Sequence, residues 1–448
     1  MTQVSQTLPA ATLAPTEYLS KKAGAIVFLA FAAAYFCSAL VRAITATLSP
    51  VLTQEFSLHA RDLGLLAGGY FLGFAATQLP LGAWLDRYGP KRVILSFLTL
   101  ALVGCAAFSM ASSFAWLLAS RVLLGMGVSA CLMAPLTGYR RWFDAATLLR
   151  ANSWMLMTAS LGMLASTLPV QWLMPLTGWR PLFWILAGMI VLAMAAIAWL
   201  VPPWKVAPTL VATRTALPPE GANFPRGGPS ENFASTLTDA PVAAGYADVW
   251  RNPYFRRMSP LAFFNQGGLV AVQTLWAGPW MVKVAGYTPL ESATGLFCIN
   301  ATMLVTFWTW GMVNPWLVRH GWSANRMITR GVPLSLLVLA FNILGGSSTG
   351  WVGWALFCVS CSTMGLAQPA VSMAFPAALA GRAMSAYNLV IFAGVFVMQW
   401  SIGLLIDVFS AAGLTEVASF QAAMGVFLCC CIASYTYFLC MRADNSRQ

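Results

Sequence analysis

Acidic residues are nearly missing from this chain. Asp and Glu together number 13 among 448 residues, histidines number 2, and charged residues of every kind make up 8%. A water-soluble domain carries about 25% charged residues, and a chain of this length needs a correspondingly wetted surface. The shortage excludes an ordinary soluble protein, so lipid must be a large part of the solvent. It also leaves little for catalysis. No P-loop, dinucleotide fingerprint, zinc-ligand spacing or H-E-x-x-H pattern is present. No metal, no cofactor and no enzymatic activity are expected. The ten cysteines fall mostly inside apolar runs, as at Cys429, Cys430 and Cys431, and read as small hydrophobes rather than a disulfide framework.

Apolar length is what the chain has in quantity. Hydrophobic residues make up 59% of it. A bilayer core of about 30 Å needs roughly 20 apolar residues per helix. Twelve stretches qualify: 24–49, 63–83, 93–111, 115–138, 152–173, 182–202, 258–282, 292–313, 327–346, 351–375, 385–406 and 417–441. Backbone groups in lipid must be satisfied internally, so these read as helices. The run after Lys22 is too long for a signal peptide and lacks a clear cleavage site, so it reads as the first span. An all-α membrane protein follows.

The formal charge of +12 could suggest a nucleic-acid partner, but its distribution points elsewhere. With a cytoplasmic N-terminus, 20 of the 25 Lys and Arg fall in cytoplasmic segments. Arg61, Arg180 and Lys283 fall outside, and Arg42 and Arg121 fall within helices. The positive-inside rule then places both termini in the cytoplasm of a multi-pass protein of the cell (inner) membrane. No nucleic acid is needed to explain the charge.

Residues 203–248 are rich in Pro, Gly, Ser, Thr and Ala and lack apolar periodicity, which predicts a disordered linker. YADVWRNPYFRRM (246–258) mixes aromatics with arginine, as an interfacial segment would. The expected division is a tail (1–23), a helical bundle (24–202), a linker (203–257), a second bundle (258–441) and a tail (442–448). The two bundles repeat each other. WLDRYG (84–89) returns as WLVRHG (316–321), RANS (150–153) as RAMS (382–385), and Gly162 as Gly394, all at an offset of 232. Parallel repeats of this kind place a binding site near the midplane between the halves.

GAWLDRYGPKR (82–92) resembles the loop signature of the major facilitator superfamily, and RVLLGMG (121–127) its R-x-x-x-G-x-G motif. The resemblance covers residues 24–441. It implies alternating-access transport by twelve helices in two pseudo-symmetric six-helix bundles, with no other subunit, so a monomer is expected. It also implies a conformational latch at Gly82, Asp86, Arg87, Gly89, Lys91 and Arg92. Gly89 permits the sharp turn, and the Asp86 carboxylate can pair with a loop arginine or cap a helix of the other half. A plain basic turn would require neither. The second copy has Val318 in place of Asp86, so a latch here is asymmetric. Gly64, Gly68, Gly69, Gly73 and Gly82 recur along the second span, where small residues let helices approach closely. They read as packing, with a smooth contact for rocking as the functional alternative.

Arg42 is a charge within the first span, where insertion costs roughly 2.5–3.5 kcal/mol if it meets lipid. With the first span ending near Ser49 and the fourth starting near Phe114, Arg42 and Arg121 lie about 10 Å deep from one face. Two guanidiniums on one cavity would be relieved by an anion, and arginine suits bidentate carboxylate or phosphate binding. Arg42 could instead snorkel to the headgroups, and Arg121 could be purely structural. The AITATL after Arg42 is small and weakly polar, better suited to a cavity wall than to an interface.

The flanks of Arg42, LVRAITATLSPVL and FSLHARDLGLLAGGYFLGFAATQLPLGAWLDRYG, resemble organic-anion members of the superfamily: sugar-phosphate antiporters and anion:cation symporters of sugar acids. In both, an arginine at the place of Arg42 contacts the substrate's acid group. The symporters commonly have an acid before it, where this chain has Val41. The phosphate antiporters have a second arginine on helix seven, where this chain has Asn265, Gln266 and Gln273. The resemblance therefore implies uptake of a small organic anion, a monocarboxylate rather than a phosphate. Further candidate cavity residues are Trp280, Ser360, Gln368, Tyr387 and Asn388, each of which could equally serve packing. No acidic residue lies mid-span, and His59 and His320 fall in loops. Coupling to a proton would then use the substrate's own proton or an edge acid such as Asp62, with counter-anion exchange as the alternative. A drug or metabolite exporter is one rival; MTASLGMLASTLPVQWLM lacks the G-x-x-x-G-P-x-x-G-G pattern of proton-driven exporters. A non-transporting receptor or assembly factor is another.

Overall fold

The apolar runs form helices almost throughout the computed structural model, which describes residues 18–203 and 245–441. The tails 1–17 and 442–448 and the linker segment 204–244 lie outside the described residues. The first half contains α1 (Lys21–Phe56), α2 (Ala60–Ala76), α3 (Gln78–Tyr88), α4 (Pro90–Ser109), α5 (Phe114–Val128), α6 (Ala130–Trp142), α7 (Ala145–Ala165), α8 (Leu168–Thr177) and α9 (Trp179–Leu200). The second opens with α10 (Tyr246–Arg251) and α11 (Pro253–Leu261). A π turn (Ala262–Gln266), α12 (Gly267–Ala271), a second π turn (Val272–Trp276) and α13 (Ala277–Lys283) follow. Then come α14 (Pro289–Arg319), α15 (Ala324–Gly345), α16 (Trp351–Cys361), α17 (Ala367–Met373), α18 (Ala377–Ala411) and α19 (Glu416–Cys440).

Among the described residues, nine helices are long and apolar enough to cross a membrane, or ten if the bent pair α7–α8 counts as one span. The other two expected spans are helical but interrupted. The one at 63–83 is interrupted at Thr77, between α2 and α3. The one at 258–282 contains both π turns. The first span exceeds its expected end at Ser49: Pro50 lies inside α1, which runs to Phe56. A proline within a helix forfeits one hydrogen bond without necessarily ending the ladder. The stop comes at Ser57, in a left-handed conformation (φ 50°), whose N–H bonds back to the Thr53 carbonyl.

The repeat is visible in the backbone. Gly89 and Gly321, the last residues of WLDRYG and WLVRHG, both turn the chain at positive φ, 78° and 76°. Gly162 packs α7 against the Phe36 carbonyl of α1, and Gly394 packs α18 against the Phe263 carbonyl of the first π turn. The matched glycines therefore sit at matched helix crossings. All ten cysteines are free.

Helix ends gather at two faces. One carries Asp86, Arg87, Lys91, Arg92, Arg140 and Arg141, and is called the basic face below. The opposite, far face carries Arg61, Arg180 and Lys283, and each has a carboxylate neighbour: Arg61–Asp62 at 3.5 Å, Arg180–Glu55 at 2.7 Å and Lys283–Glu416 at 3.0 Å. Such exposed pairs contribute only about 0–1 kcal/mol each. Their effect here is to leave the far face without net basic charge at the three positions that depart from the charge pattern.

Candidate functional site

The site is built on one face of α1. Tyr35, Ser38, Arg42, Ala46 and Ser49 follow each other at three- and four-residue steps, so they line one stripe of the helix. Ala46 is pressed against the other half: a Cβ on Gly278 of α13 would lie 3.3 Å from the Ala46 carbonyl oxygen. Arg42 sits one turn beneath that contact, toward the basic face. It is half-buried. The phenols of Tyr35 and Tyr70 neighbour its guanidinium, and its Cζ lies 5.9 Å from the centre of the Phe74 ring. Its Nε is buried and has no hydrogen-bond partner among the described residues. The aromatic wall continues into the other half, where Phe392 of α18 meets Phe74 at 4.3 Å and Phe71 at 6.1 Å between ring centres.

Arg121 lies at the same level, but it turns into the helix packing. It is 1% exposed. Its guanidinium donates to the Val41 carbonyl at 3.1 Å and to the Thr45 hydroxyl. Its Cζ lies over the rings of Tyr70 (5.5 Å) and Phe108 (5.9 Å). Arg121 thus ties α5 to the turn of α1 that carries Arg42. The two guanidiniums do not face each other across open space; Tyr70 neighbours both. The helix-two glycines divide by face. Gly69 and Gly73 meet α5 within the same half, whereas Gly64 and Gly68 meet α18 of the other half.

The candidates of the second half are distributed more widely. Asn265 and Gln266 lie in the first π turn and Gln273 in the second. Such turns add a residue to the helical ring and are common at functional sites. Asn265 donates to Ser434 at 2.8 Å and Gln273 to Asn300 at 3.0 Å, so both are committed to helix–helix bonds. Gln266 is half-buried, with a buried Oε1 that has no partner among the described residues. Trp280 is fully buried, donates to the Thr349 carbonyl at 3.3 Å and packs edge-on against Trp354. Tyr387 is fully buried with an orphaned hydroxyl, and Asn388 accepts from Gln368 at 2.6 Å. No hydrogen bond joins any of these to Arg42 among the described residues.

Of the latch residues, Gly89 makes the turn as expected. Lys91 donates to the Val201 carbonyl at 2.7 Å, and the Arg87 guanidinium lies 5.3 Å from the Tyr88 ring centre. Asp86 is exposed and has no partner among the described residues. Gly82 lies beside the other half, with Ser385 Oγ 3.9 Å from where its Cβ would be. Sequence reasoning missed Tyr35, Tyr70, Phe74 and Phe392. The spacing of Tyr35 from Arg42, two turns on one helix face, could have found the first; the others depend on tertiary packing.

The profile of the family described as Major Facilitator Superfamily matches residues 31–399. The chain belongs to this superfamily. Its members are membrane transporters, and the all-helical architecture described above is in keeping with that membership. The superfamily fold is shared with a bacterial homologue of the human lysosomal transporter Spinster, solved inward-facing and unoccupied. The TM-score is 0.70 at 15% identity, covering 96% of this chain and 100% of that one. Among curated relatives, a probable sulfoacetate transporter of Cupriavidus necator is 25% identical over 259 residues, 56% of each chain. A methyl viologen resistance protein of Salmonella typhimurium is 33% identical over 95 residues, 21% of this chain and 19% of that one. The matched stretches thus span about half, or less, of these relatives' lengths.

Proposed function

We propose that this superfamily member carries a small organic anion, a monocarboxylate, with Arg42 as the residue that receives the acid group. The observation that carries this reading is the state of Arg42. It is a half-buried guanidinium with an orphaned Nε, one turn beneath the Ala46–Gly278 contact between halves. A charge kept there at the cost of desolvation is explained by a counter-charge that comes and goes. Snorkelling would instead take the guanidinium toward the headgroups, yet α1 continues from Arg42 for nearly four turns to Phe56. Arg121 holds the α1 turn in place. Gln266 and Asn388, from the second half, are the polar partners for the rest of the substrate, and the Phe71–Phe74–Phe392 wall shields it from water.

In this reading twelve spans form two six-helix bundles, the basic face is cytoplasmic, both termini lie there, and the protein works as a monomer in the cell's inner membrane. The carboxylate pairing of each far-face basic residue supports that orientation. The coupling partner is a proton or a counter-anion. Export of a cationic drug is disfavoured, because a guanidinium repels a cation at the point where the halves meet.

The test is substrate affinity of the purified protein for an organic-acid panel, with sulfoacetate included and methyl viologen as the cationic control. Arg42→Gln is expected to lower affinity at least about tenfold, or roughly 1.4 kcal/mol, without loss of insertion or melting temperature. Arg42→Lys should rescue only in part, since a point charge lacks the planar fork. Equal affinity in the parent and both variants, or binding of methyl viologen alone, would overturn the reading.

A further inference from the structure

At the far face the two halves are joined by a carboxylate. Asp407 lies one turn before the end of α18, in the second half. Its Oδ1 accepts the Ala60 N–H at 3.1 Å and its Oδ2 the Arg61 N–H at 2.9 Å. Those two N–H groups belong to the first turn of α2, in the first half. A helix leaves its first four N–H groups without intrahelical partners; in α2 those of Asp62 and Leu63 turn to the His59 carbonyl, while those of Ala60 and Arg61 find no partner in the first half. The residue before α2 is His59, which is not among the preferred capping types. Asp62 turns back to the His59 N–H at 3.1 Å. The cap for Ala60 and Arg61 is therefore supplied by the other half.

The backbone around this contact is shaped for it. A Cβ on Gly403, one turn before Asp407, would lie 2.3 Å from the Ala60 carbonyl oxygen, and one on Gly64 would lie 2.3 Å from the Gln399 carbonyl oxygen. Only glycine at both positions lets α2 and α18 approach far enough for the carboxylate to reach the N–H pair. Behind the contact is a cavity of about 450 Å³ lined by Ser49, Thr53, His59, Lys283, Asp407 and Glu416, drawn from both halves. Opening the far side requires α2 and α18 to part, which breaks both hydrogen bonds and exposes two uncapped N–H groups together with the carboxylate.

We propose that Asp407 is a conformational latch of the far side: its capping of α2 holds the two halves closed there and sets the fraction of molecules open to that face. It acts by position and contacts no substrate. The proposal needs only that the halves rock, so it stands apart from the choice of anion and from Arg42.

The test reads the far-side opening directly, in the full-length protein without substrate. Spin labels are placed at Val51 on α1 and at Leu414 after α18, both exposed and clear of the latch. They are carried on non-cysteine residues because the chain has ten native cysteines. The parent is expected to give a single short distance population. Asp407→Ala should add a longer population, and Asp407→Asn, which keeps one acceptor oxygen but no charge, should add a smaller one. Distance distributions in both variants that match the parent would overturn the proposal. If Asp407→Ala fails to fold, the Asp407→Asn distribution decides alone: a longer population upholds the latch and an unchanged distribution removes it. Substrate affinity of the same variants separates this result from the anion reading, since loss of the latch should move the distances while Arg42→Gln should not.

Discussion

The seam between α2–α3 and α18 runs from one face of the protein to the other, and its two ends are built differently. At the far end, backbone meets backbone: Gly64 lies on the Gln399 carbonyl, Gly403 on the Ala60 carbonyl, and Asp407 caps α2. At the basic end, Gly82 has only the Ser385 hydroxyl within 4 Å of where its Cβ would be, and Asp86 is exposed without a partner among the described residues. Each end has an acid on the seam, and only one of the two is engaged. A pair of helices that can be clasped at either end, one end at a time, is what a rocking transporter needs. The glycines set how near the ends can come; fixing them once near is the role proposed for the acids.

The largest effect should come from adding a methyl group at the far end. Gly64→Ala and Gly403→Ala each place a carbon far inside contact distance of a carbonyl oxygen. Overpacking of this kind costs about 1–3 kcal/mol. The expected result is a lower melting temperature and a longer far-side distance population. Gly82→Ala, with its nearest neighbour at 3.9 Å, should change neither. If Gly82→Ala is as damaging as the far-end pair, the two ends are alike and the contrast fails.

Asp86→Asn should have a smaller, one-sided effect. The carboxylate makes no contact in the present arrangement, so stability should stay within about 0.5 kcal/mol of the parent. The arrangement that engages Asp86 should lose population, and thiol labelling of a far-side cysteine should fall. Unchanged labelling together with unchanged transport would remove Asp86 as the counterpart of Asp407.

The smallest effect is expected from shortening residues 209–240. Their composition offers no apolar face to bury, and the described residues on either side of the segment are held at the basic end, where Lys91 donates to the Val201 carbonyl and Tyr246 to the Leu79 carbonyl. Transport and insertion should persist as long as the remaining residues bridge the halves. Complete loss of transport in a correctly inserted protein would show that the basic end depends on a tether.

Much of the architecture was legible because lipid imposes a single rule on long segments. The spans, the repeat at 232 and the turn at Gly89 follow from hydropathy, self-similarity and the φ that only glycine adopts readily. Helix ends were less legible. The first span was expected to end near Ser49, yet α1 runs through Pro50 to Phe56, because hydropathy reports contact with lipid and not where a hydrogen-bond ladder ends. The breaks at Thr77 and in the two π turns leave no periodic signal. Arg42 and Arg121 do share a level, since Arg121 reaches the carbonyl next to Arg42, but the count from Ser49 that set it does not hold, because α1 runs on to Phe56. Whether Arg121 faces a cavity or the helix packing was left open by the sequence, because which face of α5 meets α1 is a tertiary fact. Asp407 was seen only as an acid at the edge of a span, since its partners lie 346 and 347 positions away.

The π turns of the seventh span give that helix slack. Each holds about one residue more than an α turn would. Relaxing one of them would return that residue to the regular spiral, lengthening the helix by about 1.5 Å and turning everything beyond it by about 100°. α13 lies beyond both, and it carries the Gly278 that rests on Ala46. A screw motion stored near the membrane centre could then swing Gly278 off α1 without any helix melting, and would re-aim Gln266 and Gln273 as it did so.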